Sequence, residues 1–147
     1  DFVIKHPIFL RILLELKTTG SKKIRDLKIP DPEHVGQWTF YSETRAIKHG
    51  FIIYENRESV TPTYFPIERN GNHLTLFSPN GAIVSELPDY VSKMYKKIEF
   101  VIWCAQNNSY PFEMCEECSK YGCKQQSVCK QFSETRKSVT FEDWSKK

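Results

Sequence analysis

The chain has 147 residues and a mass of 17.3 kDa, enough for one domain with at most a small appendage. Hydrophobic residues make up 39% and charged residues 27%, which excludes a disordered chain. A net charge of +3 excludes an acidic tail or a histone-like cation, and no apolar run is long enough to span a membrane.

Ile8, Ile12, Leu13 and Leu16 recur at helical spacing, with Phe9 and Leu10 widening the stripe. This predicts a first helix from His6 to about Thr18. Lys5, His6, Arg11 and Glu15 interrupt the apolar run from Phe2 to Leu16, so it does not read as the core of a signal peptide. Gly20 closes the first helix, and Ser21 caps a short second one that is basic at Lys22, Lys23, Arg25 and Lys28. Asp31 followed by Pro32 predicts the cap and first turn of a third helix, which runs to about His49 and stops at Gly50.

Phe51 to Tyr54 reads as a strand. Tyr64 to Arg69 and His73 to Phe77 flank Asn70-Gly71-Asn72 as a hairpin. Pro79-Asn80-Gly81 leads toward a further helix start. From Pro88 to Ala105, Val91, Met94, Tyr95, Ile98, Val101, Ile102 and Ala105 hold helical spacing, and Asn107-Asn108-Ser109 ends that helix.

Three helices, a strand and a hairpin in this order predict a mainly α (α+β) chain. The expected layout is a winged helix-turn-helix domain over residues 1–86, a connecting helix over 87–108, and a cysteine-ligated iron–sulfur cluster domain over 109–147. In such a domain the third helix faces DNA, and here it offers His34, Gln37, Trp38, Thr39, Tyr41, Ser42, Arg45 and Lys48. That set is thin in the Arg, Asn and Gln that read base edges, so a protein partner is as open as DNA. The basic second helix suits phosphate contacts or simple solvation.

Cys115, Cys118, Cys123 and Cys129 form the pattern Cys-x2-Cys-x4-Cys-x5-Cys, with Cys104 further upstream on the long helix. An odd cysteine count and crowded thiols argue for a metal in a reducing, cytoplasmic compartment rather than a disulfide framework. The compact spacing lacks the second Cys-x2-Cys turn of a zinc ribbon, which favours a [4Fe-4S] cluster and keeps zinc as the alternative. A structural cluster is the expectation, because no flavin, dinucleotide or phosphate-loop motif accompanies it. Cys104 reads as a buried thiol. His6, His34, His49 and His73 lie far from the cysteines and read as surface or cap residues. Glu116 and Glu117 read as solvated, the serines lack a nucleophile elbow, and no enzyme is expected.

The segment Tyr110-Pro111-Phe112-Glu113-Met114-Cys115-Glu116-Glu117-Cys118, followed by Cys123 and Cys129, resembles the beta subunits of archaeal transcription factor E. Those subunits are related to a winged-helix, cysteine-cluster subunit of RNA polymerase III. The resemblance implies a [4Fe-4S] cluster on Cys115, Cys118, Cys123 and Cys129. It also implies a general transcription initiation factor that pairs with the alpha subunit, binds the RNA polymerase clamp, contacts promoter DNA weakly and assists promoter opening. The alternatives are a sequence-specific regulator with a redox-sensing cluster, and a zinc-binding winged-helix module.

Overall fold

A computed structural model of the chain describes residues 2–19, 27–56, 61–111 and 137–146. They divide into two compact units, Asp1–Ser92 and Lys93–Lys147.

The first unit is a six-stranded sheet in sequential order, β1 to β6, carrying one helix. Its elements are β1 (Phe2–His6), β2 (Leu10–Thr19), α1 (Pro32–Thr44), β3 (His49–Asn56), β4 (Thr63–Asn70), β5 (His73–Phe77) and β6 (Ile83–Leu87). Only β2 and β3 run parallel, because α1 lies between them in the chain; every other neighbouring pair is antiparallel. Asp31 caps α1 by accepting the Glu33 amide at 3.0 Å, and Pro32 sets the first turn. Val35, Trp38, Thr39 and Ser42 then repeat at helical spacing and are buried. With Leu13, Ile47, Ile52, Tyr54, Phe65, Ile67, Leu74 and Leu76, Val35 and Trp38 make the core. The indole N–H of Trp38 donates to the Leu13 carbonyl at 3.2 Å, which ties the helix to β2.

The second unit takes in most of α2 (Tyr90–Gln106), with β7 (Ser109–Pro111), β8 (Lys137–Val139) and α3 (Phe141–Ser145). β7 and β8 pair in parallel. Phe100, Phe141 and Trp144 form an aromatic cluster with ring centroids 5.5 to 5.8 Å apart.

The mainly α winged-helix expectation is wrong: among the described residues about 42% is strand and 33% helix, in a mixed six-stranded sheet. The expected first helix is the β1–β2 hairpin. Pro7 disfavours a helical His6, and Leu10, Ile12, Leu14 and Leu16 satisfy a two-residue period as well as a helical one. The third helix stops at Thr44 because Ala46 turns the chain at φ 51°, so His49 and Gly50 begin β3. The expected wing, β4–β5, is interior to the sheet: β3 pairs the free side of β4, and β6 pairs the free side of β5. Pro79-Asn80-Gly81 is a turn into β6 rather than a helix start, with Gly81 at φ 84° and the Ser78 amide donating to the Ala82 carbonyl at 2.8 Å. The long helix and its end at Asn107 lie where the spacing predicts. The expected second helix falls mostly on residues outside the described ones.

Candidate active site

On a strand, residues two apart share a face, and β2 uses this to place Leu13, Glu15 and Lys17 toward α1. Leu13 belongs to the core, but the next two positions on that face are charged. Glu15 is only 1% exposed. The ammonium of Lys17 lies 2.6 Å from Glu15 Oε1 and donates to Gln37 Oε1 on α1 at 2.5 Å. An ammonium has three donors, so two fixed partners leave Lys17 one N–H to offer.

Glu15 Oε2 is buried and has no hydrogen-bond partner. Among the described residues one other buried carboxylate oxygen shares that state, Glu43 Oε2, but it lies 2.8 Å from the Arg69 guanidinium and is neutralised there. Glu15 is ion-paired through Oε1 to Lys17, and its Oε2 has no hydrogen-bond partner in a place where an unsatisfied polar atom is costly.

Tyr54 of β3, in register with Lys17, borders the same site. Its hydroxyl accepts the Asp31 amide at 3.0 Å and lies 2.8 Å from His34 Nδ1. Burial pushes the phenol up to about 12. The Asp31 amide pulls it down, and the negative charges of Asp31 and Glu15 push it further up. The phenol is therefore neutral at ordinary pH, and its O–H is available to donate to His34 Nδ1.

The residues expected to read DNA are distributed differently. Trp38, Thr39 and Ser42 are buried against the sheet. Gln37 holds Lys17 and His34 meets Tyr54. Tyr41 is half-buried, and Arg45 and Lys48 lie beyond the end of α1. Cys104 is buried on α2, as expected. Cys115, Cys118, Cys123 and Cys129 lie outside the described residues. Among the described residues no three His, Cys, Asp or Glu side chains gather to hold a metal.

Glu15, Lys17 and Tyr54 are the residues that linear reading misses, and Gln37, expected to face DNA, holds Lys17 instead. In a helix, positions 15 and 17 would point about 200° apart; only the strand puts them side by side. The available signal was a Glu-x-Lys step after the apolar run Ile12-Leu13-Leu14, where a buried strand has no need of charge. No described helix is long and apolar enough to cross a membrane. Comparison with known proteins returns no matching family model, no matching curated protein and no matching solved structure.

Proposed function

We propose that the chain is a divalent-cation-dependent phosphodiester hydrolase acting on nucleic acid. One observation carries this reading: the buried, unpartnered Oε2 of Glu15 beside the fixed ammonium of Lys17. Mg²⁺ and its analogues are held by one or two carboxylates, with water and substrate phosphate filling the remaining positions. A single buried carboxylate with one free oxygen supplies such a partial site. Lys17 supplies a positive point charge and a free donor for a phosphate oxygen. The basic residues Lys22, Lys23, Arg25 and Lys28 follow β2 directly in sequence, and such a run suits a polyanionic substrate.

The chemistry needs no side-chain nucleophile. A divalent cation held by Glu15 would supply a bound water of lowered pKa. The oxygen of that water attacks phosphorus, and its proton passes to solvent. The phosphorus–oxygen ester bond breaks in line, and the leaving oxygen takes a proton from water. The products are a phosphomonoester and a free hydroxyl. Glu15 would hold the cation, Lys17 would offset charge on the phosphoryl oxygens, and Gln37 fixes Lys17.

The transcription-initiation reading drew its DNA and partner surfaces from a winged helix and a cysteine-cluster segment; the expected wing strands are interior to the sheet, and the cysteines lie outside the described residues. A structural [4Fe-4S] cluster on Cys115, Cys118, Cys123 and Cys129, with zinc as the alternative, stays a proposal that is compatible with a hydrolase.

The test is cleavage of end-labelled single- and double-stranded oligonucleotides by the full chain in Mg²⁺ or Mn²⁺, with chelator as the control. Glu15→Gln and Lys17→Ala are each expected to lower the rate by at least about a hundredfold, the scale of losing a charge-stabilising group. Cleavage that survives Glu15→Gln overturns the assignment.

A further inference from the structure

The β1–β2 hairpin does more than bring β2 into the sheet. Its tip exposes three consecutive apolar side chains, Ile8 and Leu10 at 78% and Phe9 at 45%. Folded chains rarely leave such a run open without a use for it. The backbone there is strained: Leu10 sits at φ 60°, and the Arg11 amide closes back on the Phe9 carbonyl at 2.6 Å, the bond of a tight γ-turn. His6 Nδ1 accepts the amides of Ile8 and Phe9 at 3.2 and 3.3 Å and so holds the tip in shape. The Phe9 ring packs against His6 and His49, with centroids 5.1 and 4.6 Å away. The tip is thus a built aromatic platform.

Beside it lies a groove of about 350 Å³, walled by the tip and by the turn from Ala46 to His49 that enters β3. Arg11 and Lys48 line it, and no lining residue is acidic. Lys5 stands directly opposite Arg11 in the β1–β2 register. Like charges facing each other across a strand pair are unfavourable unless an anion offsets them. Glu68, opposite His49 on β4, does not line the groove. An aromatic ring with two basic side chains, Arg11 and Lys48, at its edge matches stacked bases joined by phosphates, the recognition chemistry of single-stranded nucleic acid.

We infer that this groove docks one strand of nucleic acid, with a base stacked on Phe9 and phosphates on Arg11 and Lys48. The inference rests on the proposed hydrolase and extends it to a substrate-holding site. Leu10 and Glu15 are five residues apart on β2, a distance of about 17 Å, or about five stacked nucleotides of one strand.

The experiment measures binding alone, in chelator, where nothing is cleaved. A fluorescein-labelled twelve-nucleotide oligothymidylate is titrated with the full chain by anisotropy, for wild type, Phe9→Ala, Ile8→Ser, Lys48→Gln and Arg11→Gln. These positions are exposed or line an open groove, and circular dichroism checks each fold. Phe9→Ala is expected to weaken binding about tenfold or more, the scale of one lost base–aromatic stack. Lys48→Gln and Arg11→Gln are each expected to lower the salt dependence by about one unit. Affinities within twofold of wild type in all four variants overturn the groove. So does equal competition by poly-glutamate, which would mark an acidic protein segment as the occupant. Wild type that cleaves DNA while the variants bind normally removes the groove and leaves the hydrolase. Wild type that never cleaves while the variants lose binding does the reverse.

Discussion

Glu15 and Lys17 act on stability in opposite senses, and this makes them testable apart from any reaction. Glu15 is a buried charge with one oxygen unsatisfied. Lys17 is 24% exposed and can turn its ammonium to water. Glu15→Gln therefore removes a buried charge without stranding its partner, and the metal-free variant is expected to melt at or slightly above wild type. Lys17→Met leaves Glu15 buried and uncompensated, at a cost of about 3 kcal/mol. A bound divalent cation changes the order: at a hundred times its dissociation constant it stabilises wild type by about 2.7 kcal/mol. Calorimetry with and without Mg²⁺ or Mn²⁺ reads both effects, and a cation-induced shift that survives in Glu15→Gln would place the cation elsewhere. Tyr54 supplies a separate handle. Its folded pKa of about 12 lies above the ordinary value of 10.0. Below pH 10 both states keep the proton. As pH rises from 10 toward 12 the unfolded chain loses it while the folded chain holds it, so the Tyr54 contribution to stability falls in that window. Urea midpoints measured across it are expected to decline in wild type and to decline less in Tyr54→Phe. At neutral pH that variant is less stable by about 1 to 3 kcal/mol, because the Asp31 amide loses its acceptor.

At the scale of elements, β2, α1 and β3 form one assembly whose tightest point is Gly50. A Cβ there would collide with the Leu13 carbonyl and come within 2.6 Å of Trp38 Nε1, breaking the bond that joins α1 to β2. Gly50→Ala is expected to cost about 2 to 4 kcal/mol, an overpacked core site plus a lost hydrogen bond, read as a drop in the urea midpoint. Asp31→Ala removes the α1 cap and is expected to cost about 1 kcal/mol. Elements with one strong signal were legible in the sequence. Asp31-Pro32 announces α1, Asn70-Gly71 announces the turn between β4 and β5, and the long apolar stripe announces α2. The β1–β2 hairpin was not, because β2 carries apolar side chains on both faces and so satisfies two periods at once. Gly50 read as a helix stop, whereas its actual role is to let a tryptophan reach a strand carbonyl across the sheet. That role depends on a contact between positions 13, 38 and 50, which no local pattern encodes.

At the scale of the molecule, the same hairpin error hid the site, since a helix scatters what a strand aligns. A charge pair on an otherwise apolar strand became visible only once α1 was seen to cover that face with Gln37 above it. The cysteine quartet is a signal of a different kind: its spacing is local and independent of the fold, and it lies outside the described residues. The unit Asp1–Ser92 holds Glu15, Lys17, Gln37 and Tyr54 together with its own core, so the proposed cation site and the proposed cysteine site are tested by separate variants. The two metal chemistries should therefore separate. A hard cation on carboxylate oxygen exchanges freely and is stripped by chelator, whereas a cluster on four thiolates absorbs visible light and is lost by oxidation or ligand removal. Protein purified without oxygen is expected to be coloured and to contain iron and sulfide in near-equal amounts. Cys118→Ser is expected to remove the colour and lower solubility while keeping the Mg²⁺-induced melting shift. Glu15→Gln is expected to keep the colour and lose the shift. Zinc in place of iron would change the quartet's metal without touching the Glu15 site. A Cys118→Ser protein that stays folded, by circular dichroism, and yet shows no Mg²⁺ shift would show that the two sites are one cooperative centre, against the independence expected here.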